Sequence, residues 1–215
     1  MEISYGISSM AYLRRARNRL DEGTQESLLY AAFELRGGTE SRLQDYLDAR
    51  EDIAKRKKQG WKIMGSAKEL DRGTGLGDKI VEARFLDEHG KIQMAVYYTP
   101  ITTRLREAAG ARLHYLLHAM KKAFPDDDRW WPDTRAFLEQ LYSDLTFANK
   151  GTLLAPIMRA PDGKRYHMSL SISSDSPIAE KIGDFSKVGS DYNIGISYLD
   201  SLPDHATPFL NRTNA

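Results

Sequence analysis

The sequence predicts an α+β protein: a helical bundle core with two β-hairpins forming a small antiparallel sheet. Three observations predict it. Residues 8–58 and 100–149 are rich in helix formers, with apolar side chains at three- and four-residue spacing. Residues 79–98 alternate apolar and polar side chains about a turn, and a similar pattern returns after residue 151. The expected organisation is a single domain over 1–215. Its helical core covers 8–150, with an inserted hairpin at 79–98 and a β-rich part at 151–202. A bundle carrying a separate C-terminal β appendage is the alternative.

At the N-terminal end "SSMAYLRRARNRLDEG" offers Ser8 or Ser9 as an N-cap and Gly23 as a stop. A second helix starts at Thr24 and carries one apolar stripe through Leu28, Ala32, Leu35, Leu43, Tyr46, Leu47 and Ile53 as far as "KRKKQG". Gly37-Gly38 costs that helix about 2 kcal/mol of propensity against alanine. A kink there, or a close neighbour packed on the glycines, is expected. "DKIVEARFLDEHGKIQMAVYYTP" forms two strands joined at Asp87–Gly90, with Ile92, Met94, Val96 and Tyr98 on one half-buried face. Thr99-Pro100 starts a helix running unbroken to near Pro125, and another spans about Pro132 to Asn149, with Gly151 just beyond. "TLLAPIMRAPDGKRYHMSLSIS" is a hairpin turning at Asp162-Gly163, "YNIGISYL" a further strand, and "NRTNA" a frayed tail.

Composition narrows the function classes. Thirty-one basic and 30 acidic residues leave a net charge of +1, which argues against a globally basic nucleic-acid binder but not against a local patch. The absence of cysteine removes disulfides, thiolate metal sites and cysteine nucleophiles. The N-terminus lacks a signal peptide's apolar core, and no apolar run approaches the roughly 20 residues that span a bilayer. A soluble, cytoplasmic protein with no membrane partner is expected.

The chemical interest lies in "ARLHYLLHAM". On an uninterrupted helix over 100–122, Leu105, Ala109, Leu113, Leu116, Leu117 and Met120 make the core face. Arg104, Glu107, Ala111, His114 and His118 share another face, and Arg112 lies about a third of the circumference from His118. Three roles compete. The face can be merely solvated, with Glu107 tuning the histidines. His114 and His118, four apart, can share a metal ion with Glu107 or one of Asp126, Asp127 and Asp128; but "HYLLH" puts Tyr115 where the helical zinc proteases carry their general base, and neither metal nor cofactor is expected. Or an imidazole, which titrates near neutrality, and a guanidinium can cleave a phosphodiester, RNA's own 2′-hydroxyl serving as nucleophile.

Arg112, five residues, then His118, in "RLHYLLH", resembles the R-x(4–6)-H motif of HEPN domains (higher eukaryotes and prokaryotes nucleotide-binding). The helices containing "LLYAAFELRGGTESRLQDYLDA" resemble the paired helices that open such bundles. The likeness covers about residues 8–150. It implies an all-α core and, for many members, metal-independent ribonuclease activity in toxin–antitoxin, abortive-infection and CRISPR systems, often as homodimers with the two motifs facing each other. By that resemblance Arg112 holds the phosphate, His118 is the acid–base and His114 a support. Leu113 departs from the polar residue that commonly follows the family's arginine, and the hairpins are additions.

Other features are weaker. Arg14, Arg15, Arg17 and Arg19 on the first helix, and Lys55, Arg56, Lys57 and Lys58, form basic clusters that are either solvated faces or a nucleic-acid patch, with Tyr5, Tyr12 and Trp61 as stacking candidates. "DRGTGLGDK" lacks the order of a phosphate-binding loop and reads as a mobile loop. In "DDDRWWPD", Asp128 or Asp133 caps the next helix while Trp130 or Trp131 packs beneath; a metal site or partner surface is the alternative. "SLSISSDS" follows a strand pattern rather than a nucleophile turn, and His167 reads as an ordinary strand histidine. The leading expectation is an HEPN-like protein of a bacterial stress or phage-defence system that binds or cleaves RNA. The alternative is a non-catalytic protein–protein interaction module.

Overall fold

A computed structural model describes residues 5–58, 62–72, 74–118, 122–159, 166–170 and 193–210. The chain mixes helices with small antiparallel sheets, as the sequence predicts. It divides into two compact units, one of residues 1–75 and 101–148, the other of residues 76–100 and 149–214.

The first unit is helical. Helix α1 (Ser9–Glu22) is capped by the Ser8 hydroxyl, which accepts from Ala11 N–H, and ends at Gly23 in the left-handed region, φ 70°. Helix α2 (Gln25–Asp48) opens on Thr24, whose hydroxyl accepts from Ser27 N–H. The tight link makes an antiparallel hairpin in which Gly37 faces Tyr12: a β-carbon on Gly37 would stand 2.5 Å from the Tyr12 ring. Gly38 meets Leu145 of α7 (Trp130–Ala148) in the same way, at 2.8 Å. The glycine pair therefore lies within a continuous helix whose neighbours occupy the space of its missing side chains.

The stripe read through Ile53 does not remain helical. Helix α2 stops at Asp48, and Lys55–Lys58 form a single separate turn, α3. Helix α4 (Ile63–Asp71) is not expected from the sequence; it buries Ile63, Ala67 and Leu70 and packs against α2. Helix α7 packs against α1 and α2. Its last carbonyl, at Ala148, accepts from Arg42 Nε (3.1 Å) and the Tyr46 hydroxyl (2.9 Å), so α2 side chains satisfy an acceptor that a helix end leaves open.

The helix expected from Thr99-Pro100 starts later and is broken. Thr102 caps it, accepting from Leu105 N–H, and α5 spans only Thr103–Glu107. A π turn over Ala108–Arg112 comes next, with Leu113 N–H bonded to the Ala108 carbonyl five residues back. Then α6 (Leu113–Leu117) ends at His118, whose backbone is extended. Among the described residues no helix is long and apolar enough to cross a membrane.

In the second unit β1 (Ile80–Leu86) is central, with β2 (Ile92–Tyr98) and β5 (Asn193–Leu199) antiparallel on either side. The β1–β2 turn is held by Asp87, whose Oδ1 accepts from His89 N–H (3.0 Å) and Lys91 N–H (2.9 Å). Gly90, at φ 77°, closes it. Among the described residues the second hairpin does not join this sheet. Its strands β3 (Met158–Arg159) and β4 (Tyr166–His167) pair with each other, and the Asp162-Gly163 turn lies outside the described residues.

Residues 94–97 of β2 are all buried, so both faces of the sheet are covered there, against the one-sided alternation expected. One face builds an apolar core from Ala83, Phe85, Met94, Val96 and Leu153, with Tyr98, Ile157 and Leu170 against it. That face continues along β5 as Ile194, Ile196 and Tyr198, which are exposed. Beyond the α7 end, Gly151 lies tight against β2: its N–H donates to Thr99 Oγ1 (2.9 Å), and a β-carbon would stand 2.6 Å from the Tyr97 carbonyl oxygen.

Candidate functional site

Four interactions place the histidine helix. Arg104 of α5 donates from Nε to Asp144 Oδ2 on α7 at 2.8 Å, and its Nη2 reaches Asp144 Oδ1. Arg106 Nη1 donates to Asp71 Oδ2 on α4 at 2.7 Å. Leu113 is fully buried and α6 packs against α2. Arg112 lays its guanidinium over the Phe137 ring of α7, 4.2 Å from the centroid, a cation–π contact that also flattens the side chain onto the bundle.

On this support His114 and His118 meet. His118 Nε2 lies 3.1 Å from His114 Nδ1, their ring centroids are 4.1 Å apart, and both side chains are exposed. The four-residue spacing across one helical turn brings them together. One ring must donate and the other accept. The bond can therefore hold in the neutral pair, or with one additional proton on either outward nitrogen, but not with both rings doubly protonated. Tyr115, beside them, is 77% exposed.

Glu107 is exposed, but it precedes the π turn. The extra residue in that turn rotates the downstream helix by about 100° relative to an uninterrupted one. The uninterrupted helix on which a stripe of Glu107, His114 and His118 was expected does not form: the α period breaks between Glu107 and the histidines, which meet each other. Among the described residues no group of three or more His, Asp or Glu side chains is arranged to hold a metal ion.

The basic candidates separate into bound and open groups. Arg15 is held by Glu34 (Nε to Oε2, 2.8 Å) and the Gly6 carbonyl (2.7 Å), between the rings of Tyr5 and Tyr12. Those tyrosines engage an arginine of their own chain in place of nucleobases. Arg17 grips Glu139 of α7 through two hydrogen bonds of 2.8 and 2.9 Å, and Arg19 pairs with Glu22. Lys57 pairs with Glu69 at 3.2 Å and Lys58 donates to the Asp48 carbonyl, whereas Arg14, Lys55 and Arg56 are exposed. Trp61 lies outside the described residues. In the acidic loop Asp128 Oδ1 accepts from Trp130 N–H at 2.8 Å, Trp131 is buried with its indole N–H on the Pro125 carbonyl, and Trp130 stacks on Phe124. His167 belongs to β4, with its side chain outside the described residues, as are residues 171–192 with most of "SLSISSDS". In "DRGTGLGDK" Gly73 is likewise outside them, and Gly75 and Gly77 adopt positive φ in open space.

A second constellation escapes the sequence. Glu82, on β1, is buried, and its Oε1 accepts from the Tyr97 hydroxyl and from His205 Nε2, each at 2.7 Å. Arg84 Nε stands 3.2 Å from the other carboxylate oxygen. Burial and then the bond to Glu82 push the Tyr97 phenol well above its ordinary value, so it stays a neutral donor. A charged residue inside the apolar run "IVEARFL" is the one local signal. The partner His205 lies 123 residues away, where only the β1–β5 pairing and the turn after it make the meeting visible. No protein-family model, curated protein or solved structure matches the chain.

Proposed function

We propose that the chain is an HEPN-like protein of a bacterial stress or phage-defence system that binds RNA and cleaves it without a metal. The observation that carries this reading is the exposed His114–His118 pair, two and six residues after Arg112 in the chain. His118 takes the proton of a 2′-hydroxyl; the 2′-oxygen bonds to phosphorus; the bond to the 5′-oxygen breaks; and that oxygen receives a proton from the imidazolium form of the pair. Arg112 offsets the charge that builds on the phosphoryl oxygens, while Phe137 limits its motion. Arg14, Lys55 and Arg56 are exposed cations suited to phosphates further along the strand. By the family resemblance the active form is a homodimer.

The test is cleavage of single-stranded RNA by purified protein in EDTA. Cleavage lost in His118→Ala supports the reading, and cleavage that survives in that variant rejects it. Activity that requires a divalent ion rejects the metal-free step. A protein-interaction module is the second reading, favoured by exposed Ile194, Ile196 and Tyr198 on β5, a strand whose only neighbour among the described residues is β1. Its occupant would be an extended apolar segment of another protein that continues the sheet. Protein that cuts no RNA, and that loses a bound partner on Ile196→Lys, supports this second reading.

A further inference from the structure

The Glu82 cluster belongs to the second unit and is independent of the histidine pair on α6. Register explains its assembly. Glu82 sits opposite Tyr97 on β2 and Ser197 on β5, and Arg84 is two residues along the same face. Arg84 Nη2 donates to Ser197 Oγ at 3.2 Å. His205 comes from the 3-10 turn Asp204–Phe209, anchored by buried Ala206 and by Ala206 N–H on the Pro203 carbonyl.

The direction of donation sets the chemistry. An ionised carboxylate only accepts, so His205 Nε2 carries its proton and Nδ1 is left as the lone-pair nitrogen on the other side of the ring. The carboxylate fixes the ring and offsets the positive charge that appears when Nδ1 takes up a proton. Burial is distributed unequally. The Glu82 side chain is 3% exposed, whereas the imidazole is 45% and the Arg84 side chain 35% exposed. A carboxylate serving only to neutralise buried cations would have both partners inside; here it is sunk beneath an imidazole and a guanidinium that reach solvent. Arg84 Nε faces Glu82 Oε2 and Nη2 donates to Ser197 Oγ, which leaves Nη1 without a hydrogen-bond partner among the described residues.

We propose that His205 is a general base supported by Glu82, with Arg84 holding the negative charge of a small anionic substrate, a phosphate ester or carboxylate that bears the acidic O–H. In the step, the substrate O–H bond breaks, a bond forms from that proton to Nδ1, the oxygen keeps the electron pair, and Glu82 stabilises the imidazolium. Tyr97 is a positioning residue that shares Oε1 with His205.

The test is nitrogen-15 NMR of the full-length protein, with His205 assigned by its loss in His205→Gln and inorganic phosphate as the probe. The expected result is an Nε2–H tautomer in the unliganded protein. Phosphate should shift the His205 signals saturably, with a dissociation constant on the order of millimolar. Arg84→Gln should weaken that binding roughly tenfold. An Nδ1–H tautomer overturns the proposal. So does the absence of a phosphate effect at His205, or a phosphate effect unchanged in Arg84→Gln. None of these results bears on His114, His118 or RNA cleavage.

Discussion

His118 Nε2 and His114 Nδ1 share one hydrogen bond on an exposed turn of helix, 3.1 Å apart. The pair makes unequal demands on its members. If the pair cleaves RNA as proposed, His118→Ala removes the proton acceptor and should cut the rate of cleavage in EDTA by about 10²–10⁴-fold. His114→Asn keeps a polar neighbour and should cost about tenfold. Single-turnover cleavage of a labelled oligonucleotide measures both, and equal losses in the two variants would contradict the division of roles.

Arg112 lies over Phe137 while remaining exposed. Arg112→Lys keeps the charge but loses the planar fork and most of the ring contact. Thermal stability should change by no more than about 1 kcal/mol, and RNA cleavage should fall by at least about tenfold. Phe137→Leu should lower cleavage less and leave RNA binding intact, as read by fluorescence anisotropy.

Gly37 faces the Tyr12 ring at a distance no β-carbon tolerates. Gly37→Ala gains helix propensity but forces the ring off the hairpin, and overpacking of this kind costs about 1–3 kcal/mol. Urea unfolding should show a net loss. Gly37→Ala combined with Tyr12→Ala should recover part of it, because the second change removes the obstacle.

Glu139 receives two hydrogen bonds from Arg17, which hold its carboxyl below the ordinary carboxylate range. A depressed acid stabilises the fold above its unfolded pKa, about 4.3, and that contribution disappears as the pH falls through the lower folded value. Both side chains are about one-third exposed, so the contribution is about 0.5–1 kcal/mol after screening. Glu139→Gln should lower stability at pH 7 by that amount and make little difference at pH 2, as checked by paired denaturation curves.

Ile194, Ile196 and Tyr198 extend the apolar face of the sheet onto β5, whose one neighbour among the described residues is β1. Ile196→Lys should raise solubility and suppress self-association in light scattering without lowering the melting temperature, because the side chain is not part of the packed core. A melting temperature lowered by several degrees would show that the strand face is needed for folding.

Local chemistry made much of the fold legible. Ser8, Gly23 and Asp87–Gly90 announce their cap, stop and turn through backbone demands that few residues meet. Helix α4 was hidden because Gly65 and a segment of only nine residues give a weak period, and its support comes from α2. Thr99-Pro100 imitated a helix start that Thr102 in fact provides. The histidine pair was legible from its spacing. The break in helical period before it was not, because "AAGAR" carries no mark that separates a π turn from an α turn. Glu82, Tyr97 and His205 required strand register, which no single segment encodes.

The π turn at Ala108–Arg112 also has a consequence for spacing. Such a widened turn holds one residue more than an α turn and absorbs it without a loop. Deleting one residue from that turn would therefore keep the histidines together and turn both away from the neighbours they have now.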